Sequence, residues 1–227
     1  MRGPFSEYAA PPIYITRIPE KAGIRFSRTE LVQLTVAILA LSGALTLLNV
    51  IQVGFFLDAR LLMLIFGAAL IAVGTGVGLH EVAHKAVAQR YGHWAEFRYN
   101  PMGLALAFFF AFLGFIYGAP GATLISGPVS PEQNGKISAA GPATNVALGA
   151  GFLGLATVLG TAATGFDLVF VAAVVAGNVS FMNFILAVFN MLPIMPLDGA
   201  KVWAWNKGIY AGLMGIAAVL LVANYVL

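Results

Sequence analysis

Five long stretches of the chain contain no charged residue, and each is long enough to cross a membrane. Their ranges are 31–57, 61–79, 139–160, 168–191 and 208–227. A helix needs roughly 20 consecutive apolar residues to span the hydrocarbon core of a bilayer. The pattern therefore predicts an all-α integral membrane protein, built as a bundle of about five transmembrane helices.

The segment between the second and third of these helices has a different pattern. Residues 101–118 are apolar, but the run is short for a span and contains three glycines. Re-entrant, hairpin and spanning arrangements all remain open for it. Residues 122–126 and 136–139 then read as short strands, and turn dipeptides punctuate them at 120–121, 127–128 and 134–135. We expect a small β-rich or re-entrant insert after the second helix.

The positions of the basic residues predict how the chain is oriented. Residues 1–30 are polar and rich in arginine and proline, which predicts a cytosolic leader ahead of a membrane domain at 31–227. If the insert returns to the side that it left, only Arg60 of the 12 Lys and Arg residues lies outside. Cytosolic loops carry such an excess of positive charge. We therefore expect a cell-membrane protein with a cytosolic amino terminus.

Composition narrows the possible chemistry. The chain is 60% hydrophobic and 9% charged, far below the roughly 25% charged residues of soluble domains, so the lipid bilayer is its main solvent. The net charge of +3 is spread along the chain, which argues against nucleic acid as a partner. There is no cysteine, so a metal would need imidazole and carboxylate ligands.

The second apolar run leads directly into His80-Glu81-Val82-Ala83-His84, a HExxH pattern on a predicted helix. Residues four apart lie on one face of a helix, so both imidazoles can reach one metal ion. Glu81 is then placed to take a proton from a metal-bound water. Ionisable groups at the end of a membrane helix are costly, which favours a functional role over coincidence.

Two histidines leave a catalytic zinc site one protein ligand short. The remaining candidates are His93, Glu96, Asp167 and Asp198. Asp198 follows Pro193 and Pro196, two prolines that cannot continue a helix, so the fourth apolar helix must unwind before it. Non-helical backbone at membrane depth is tolerated where it lines a cavity or is buried in protein. The alternative is a simple helix exit into a loop.

Three motifs together resemble the site-2 protease family of intramembrane zinc metalloproteases. They are HEVAH at 80–84, AGPATN at 140–145 and NMLPIMPLDG at 190–199. The resemblance covers a catalytic core at about 61–199. It implies one zinc ion per chain, bound by three ligands: His80, His84 and Asp198. It also implies that Glu81 is the general base of a zinc metalloendopeptidase.

The resemblance implies further roles and partners. Asn190 and Asn145 match its conserved asparagines, which points to substrate binding or oxyanion stabilisation, although Asn145 is also open to a capping role. Transmembrane protein or peptide substrates would be cut in or near the bilayer, at a site that opens toward the cytosol. Edge strands within 94–139 are expected to hold the extended substrate. Many relatives carry a PDZ domain, and we expect none in this chain.

A membrane metal-ion carrier or channel is the alternative function. It would use His80, His84 and Asp198 as a transport site. A glutamate beside the metal favours hydrolysis, and transporters commonly repeat a pair of broken helices, of which the sequence shows one. The protease is therefore the favoured interpretation.

Overall fold

The computed structural model describes residues 23–54, 58–116 and 118–226. Its membrane part consists of five long apolar helices, as the charge-free stretches predicted. Helix α1 covers Arg28–Val53, and α2 covers Ala59–Val73. A π-helical segment at Gly74–Leu79 joins α2 to α3, at His80–Arg90, so that 59–90 form one continuous span. The expected ends at 57 and 227, and most of the leader, lie outside the described residues.

The insert after this span contains both strand and helix. Strand β1 (Trp94–Tyr99) pairs antiparallel with β2 (Gly121–Ser126), and α4 (Pro101–Phe112) lies between them in the chain. At 12 residues, α4 extends about 18 Å, well short of a hydrocarbon core of about 30 Å. The chain then returns to pair with the strand that it left, which agrees with the re-entrant or hairpin interpretation. Apolar residues of α1 and α4 share one buried cluster with Phe97 of β1.

The remaining helices complete the bundle. Helix α5 covers Pro131–Ala162, and α6 covers Leu168–Asn190. The short helix α7 (Asp198–Trp205) follows the proline-containing segment, and α8 (Lys207–Val226) is the last. The break between α6 and α7 is where the two prolines predicted it.

Three local predictions were wrong, and all three concern residues of α5. Residues 136–139 are helical, not a strand, and 134–135 do not form a turn. The helix begins at Pro131 because Ser130 and Gln133 form a capping box, in which each side chain accepts from the other's backbone N–H. Asn145 therefore lies deep inside α5, so its interpretation as a helix cap was also wrong.

Candidate metal centre

Three side chains converge where α3, α5 and α7 meet. Asp198, at the start of α7, is brought to the two histidines of α3 by the turn that follows α6. Its Oδ2 lies 3.3 Å from His80 Nε2 and 3.1 Å from His84 Nε2, and the two Nε2 atoms are 3.0 Å apart. All three residues are buried, with exposures of 5%, 7% and 8% for His80, His84 and Asp198.

The other nitrogen of each imidazole is held by a carbonyl-type oxygen. His80 Nδ1 lies 2.7 Å from the side-chain oxygen of Asn145, and His84 Nδ1 lies 2.7 Å from the backbone oxygen of Ile137. The Asn145 oxygen is oriented because its amide donates to the Gly76 carbonyl at 2.8 Å. Since these acceptors require a proton on each Nδ1, both Nε2 atoms present lone pairs to the site.

Two imidazole lone pairs and a carboxylate oxygen facing one another repel unless a cation lies between them. A tetrahedral zinc site with bonds of roughly 2.0–2.1 Å separates its ligand atoms by about 3.3 Å, close to the spacing observed. The donor set and its spacing therefore fit zinc.

Helix α5 passes directly against these imidazoles. A Cβ atom on Gly141 would lie 2.5 Å from His84 Nε2 and 2.6 Å from His80 Nε2, so only glycine fits at this position without a displacement. The AGPATN motif thus supplies a close approach at Gly141 and a histidine partner at Asn145.

Glu81 points toward the insert instead of joining the three converging ligands. Its Oε2 accepts a hydrogen bond of 2.7 Å from the hydroxyl of Thr123 on β2. A cavity of about 280 Å³ lies beside it and is lined by His80, Glu81, His84 and Asp198, and also by Asn190, whose amide donates to Leu186 O.

The cavity runs along one edge of the small sheet. In an antiparallel pair, opposed residues alternate between bonding each other and pointing their backbone groups outward. The N–H groups of Phe97 and Tyr99 donate to side chains of α1 and not to β2. The backbone groups of Thr123 and Gly121, the residues paired with them, therefore point away from β1. Both line the cavity, and no hydrogen bond from the described residues reaches their outward backbone groups.

The other candidates for the third ligand lie elsewhere. His93 is 3.3 Å from the Gln133 side chain, Glu96 contacts Arg98, and Asp167 caps α6. Sequence reasoning missed Thr123, which no motif marks. It also missed Lys201, which lines the cavity 3.5 Å from Asp198 Oδ1 and could have been noticed from its i,i+3 spacing.

The amino-acid sequence has relatives among known proteins. A protein of Methanocaldococcus jannaschii, named "Putative zinc metalloprotease MJ0611", is 39% identical over 189 residues, which covers 82% of this chain and 90% of that protein. The chain belongs to the site-2 protease family of zinc metalloproteases. This family member is a membrane metalloprotease whose cofactor is zinc, and its five long apolar helices agree with that location.

A second relative matches a smaller part of this chain. "Putative zinc metalloprotease Rip3" of Mycobacterium tuberculosis is 32% identical over 132 residues, or 56% of this chain and 28% of that protein. No family model matches the chain, and no solved structure matches it.

Proposed function

We propose that this metalloprotease hydrolyses peptide bonds in or near transmembrane segments of membrane-protein substrates. The observation that carries the proposal is the cavity in which the ligand cluster, Glu81 and the outward edge of β2 meet. The residues of the membrane span 59–90 that line it fall between Gly76 and His84, in the carboxyl-terminal half of that span. A carrier needs the three ligands, but it needs neither a glutamate held beside them nor an open strand edge.

In this proposal His80, His84 and Asp198 hold zinc, and Glu81 is the general base. Zinc bound there supplies a Lewis acid that polarises the peptide carbonyl and acidifies water. Glu81 removes the proton from the attacking water and then delivers it to the leaving amine. The Thr123 hydroxyl orients the Glu81 carboxylate through its hydrogen bond of 2.7 Å.

The two asparagines take different roles. Both ends of the Asn145 amide are already occupied, by His80 Nδ1 and the Gly76 carbonyl. We assign Asn145 to the orientation of the His80 ring, not to oxyanion binding. Asn190 donates to Leu186 O at 2.9 Å and has a second amide hydrogen, which we assign to the substrate carbonyl oxygen.

Substrate is held on β2 as an added strand. A helical substrate has its carbonyls tied up in intrahelical hydrogen bonds, so it must unwind before hydrolysis. The outward backbone groups of Gly121 and Thr123 can bond the extended segment beside the catalytic glutamate. We place the amino terminus and the mouth of the cavity on the cytosolic side because of the charge bias.

Glu81→Gln tests the function directly. The purified protein, reconstituted with a single-span model substrate, should lose turnover but keep about one zinc per chain, because Glu81 is not a proposed ligand. Asp198→Asn should lose both zinc and activity, and Glu132→Gln, an exposed glutamate on α5, is the matched control. Cleavage at wild-type rate by Glu81→Gln would overturn the mechanism. Metal flux without cleavage in the wild type would favour the carrier.

A further inference from the structure

A buried ion pair includes one residue of α3, the helix that carries Glu81. Lys85 Nζ lies 2.6 Å from Glu30 Oε2, and each residue is 1% exposed. The pair joins α3 to the first turn of α1. Buried ion pairs are poor sources of stability, because desolvation offsets their attraction and apolar replacements are often as stable. The pair is therefore better explained by the position in which it holds neighbouring elements than by a gain in stability.

The remaining contacts of this pair are with β1. Lys85 also donates to the Ala95 carbonyl at 2.5 Å, and Glu30 Oε1 accepts from the Phe97 N–H at 3.0 Å. One turn further along α1, Gln33 accepts from the Tyr99 N–H at 3.1 Å. The outer edge of β1 is thus closed by side chains, whereas β2 presents its outward groups to the cavity. We refer to Glu30, Gln33 and Lys85 as the clamp.

Helix α3 holds both strands of the sheet. Glu81 and Lys85 are four residues apart, so they lie on one face of α3. Glu81 contacts Thr123 of β2, and Lys85 contacts Ala95 of β1. Ala95 is paired with Ile125, two residues from Thr123. The two contacts fix both the height and the rotation of the sheet relative to the general base.

We propose that the clamp is a positioning device: it keeps β2 in register with Glu81 and so determines which peptide bond of an added substrate strand is cut. This inference rests on the proposed function, since it supposes that substrate pairs with β2. A strand can shift by two residues and still present the same face. Without the clamp, the sheet moves relative to Glu81. Peptide bonds of the substrate that lie two residues from the normal cut site then reach Glu81.

The double variant Glu30→Leu/Lys85→Met tests the proposal, because removing both charges avoids an unpaired buried charge. We expect wild-type zinc content and thermal stability, a kcat lowered about tenfold or more and a nearly unchanged KM. Mass spectrometry of the products should show new cuts two residues from the main one. Hydrogen exchange, which needs no activity, should show faster exchange at the Phe97 amide. Glu132→Gln/Lys136→Gln removes an exposed ion pair as the matched control.

The outcomes separate this inference from the function on which it rests. If the wild type cleaves and Glu81→Gln does not, the function stands. A single wild-type cut site and wild-type kcat in the double variant would then overturn the clamp alone. Should the double variant not fold, Gln33→Leu opens the same edge at Tyr99 without touching the ion pair. Unchanged products and unchanged Tyr99 exchange in that variant would likewise overturn the clamp.

Discussion

Gly141→Ala places one methyl group against the proposed zinc ligands. The new Cβ would lie 2.5 Å from His84 Nε2 and 2.6 Å from both Nε2 and Cε1 of His80. Ordinary contacts are about 3.5 Å, so the rings or α5 must retreat by roughly 1 Å. A misplacement of about 1 Å can cost about 100-fold in rate, or roughly 2.7 kcal/mol. We expect a loss of that size in kcat/KM, with weaker zinc retention.

The same helix offers two kinds of control. A Cβ on Gly151 or Gly154 meets nothing within 4 Å, so alanine there should leave activity unchanged and add up to about 1 kcal/mol of helix stability. A Cβ on Gly149 would lie 2.6 Å from Phe184, away from the ligands. Alanine at 149 should lower the melting temperature but not the zinc content.

The assay pairs metal analysis with cleavage of a reconstituted single-span substrate. If Gly141→Ala retains wild-type zinc and activity while Gly149→Ala is destabilised, the two imidazoles do not occupy the positions described, and the ligand assignment fails. If Gly141→Ala and Gly149→Ala behave alike, the effect is general overpacking of α5 and gives no support to the site.

Three further predictions test the surroundings of the site. Thr123→Val should lower kcat about tenfold without loss of zinc, because the Glu81 carboxylate loses its hydroxyl donor; unchanged kcat would contradict that role. Asn145→Leu leaves the His80 N–H unpaired and should weaken zinc affinity by about 10–100-fold, measured by chelator competition; unchanged affinity would contradict the positioning role. A single cysteine that replaces Lys136 should be labelled by an impermeant reagent in inverted vesicles, which expose the cytosolic face, and not in right-side-out vesicles. Labelling in right-side-out vesicles would reverse the proposed orientation.

The parts of the fold that follow from one dominant force could be predicted from the sequence. Lipid cannot satisfy backbone polar groups, so each span must be a long and mainly apolar helix, and all five were evident. The HExxH pair was equally evident, because helical geometry alone places His80 and His84 side by side. In both cases a short-range rule decides the outcome without knowledge of the neighbours.

The wrong predictions arose where a residue pattern that resembles a local signal is in fact explained by packing against a distant part of the chain. Asn134-Gly135 resembles a turn, but the glycine serves close packing: a Cβ on Gly135 would collide with the Trp205 side chain. The capping box at Ser130 and Gln133 then extends the helix through the dipeptide. Spacing alone likewise left four carboxylate or imidazole candidates for the third ligand, since nothing local brings Asp198 to α3.

The contacts between α3 and α5 explain why the AGPATN motif accompanies HExxH. Ile137, Gly141 and Asn145 are four residues apart and form one stripe on α5. The stripe meets the histidines in reverse order: Ile137 contacts His84, and Asn145 contacts His80. The two helices therefore run antiparallel, and the two contacts are about 6 Å apart along α3 and about 12 Å apart along α5. A glycine midway between the two contacts is then a requirement of this spacing, because any side chain there would enter the space between the imidazoles.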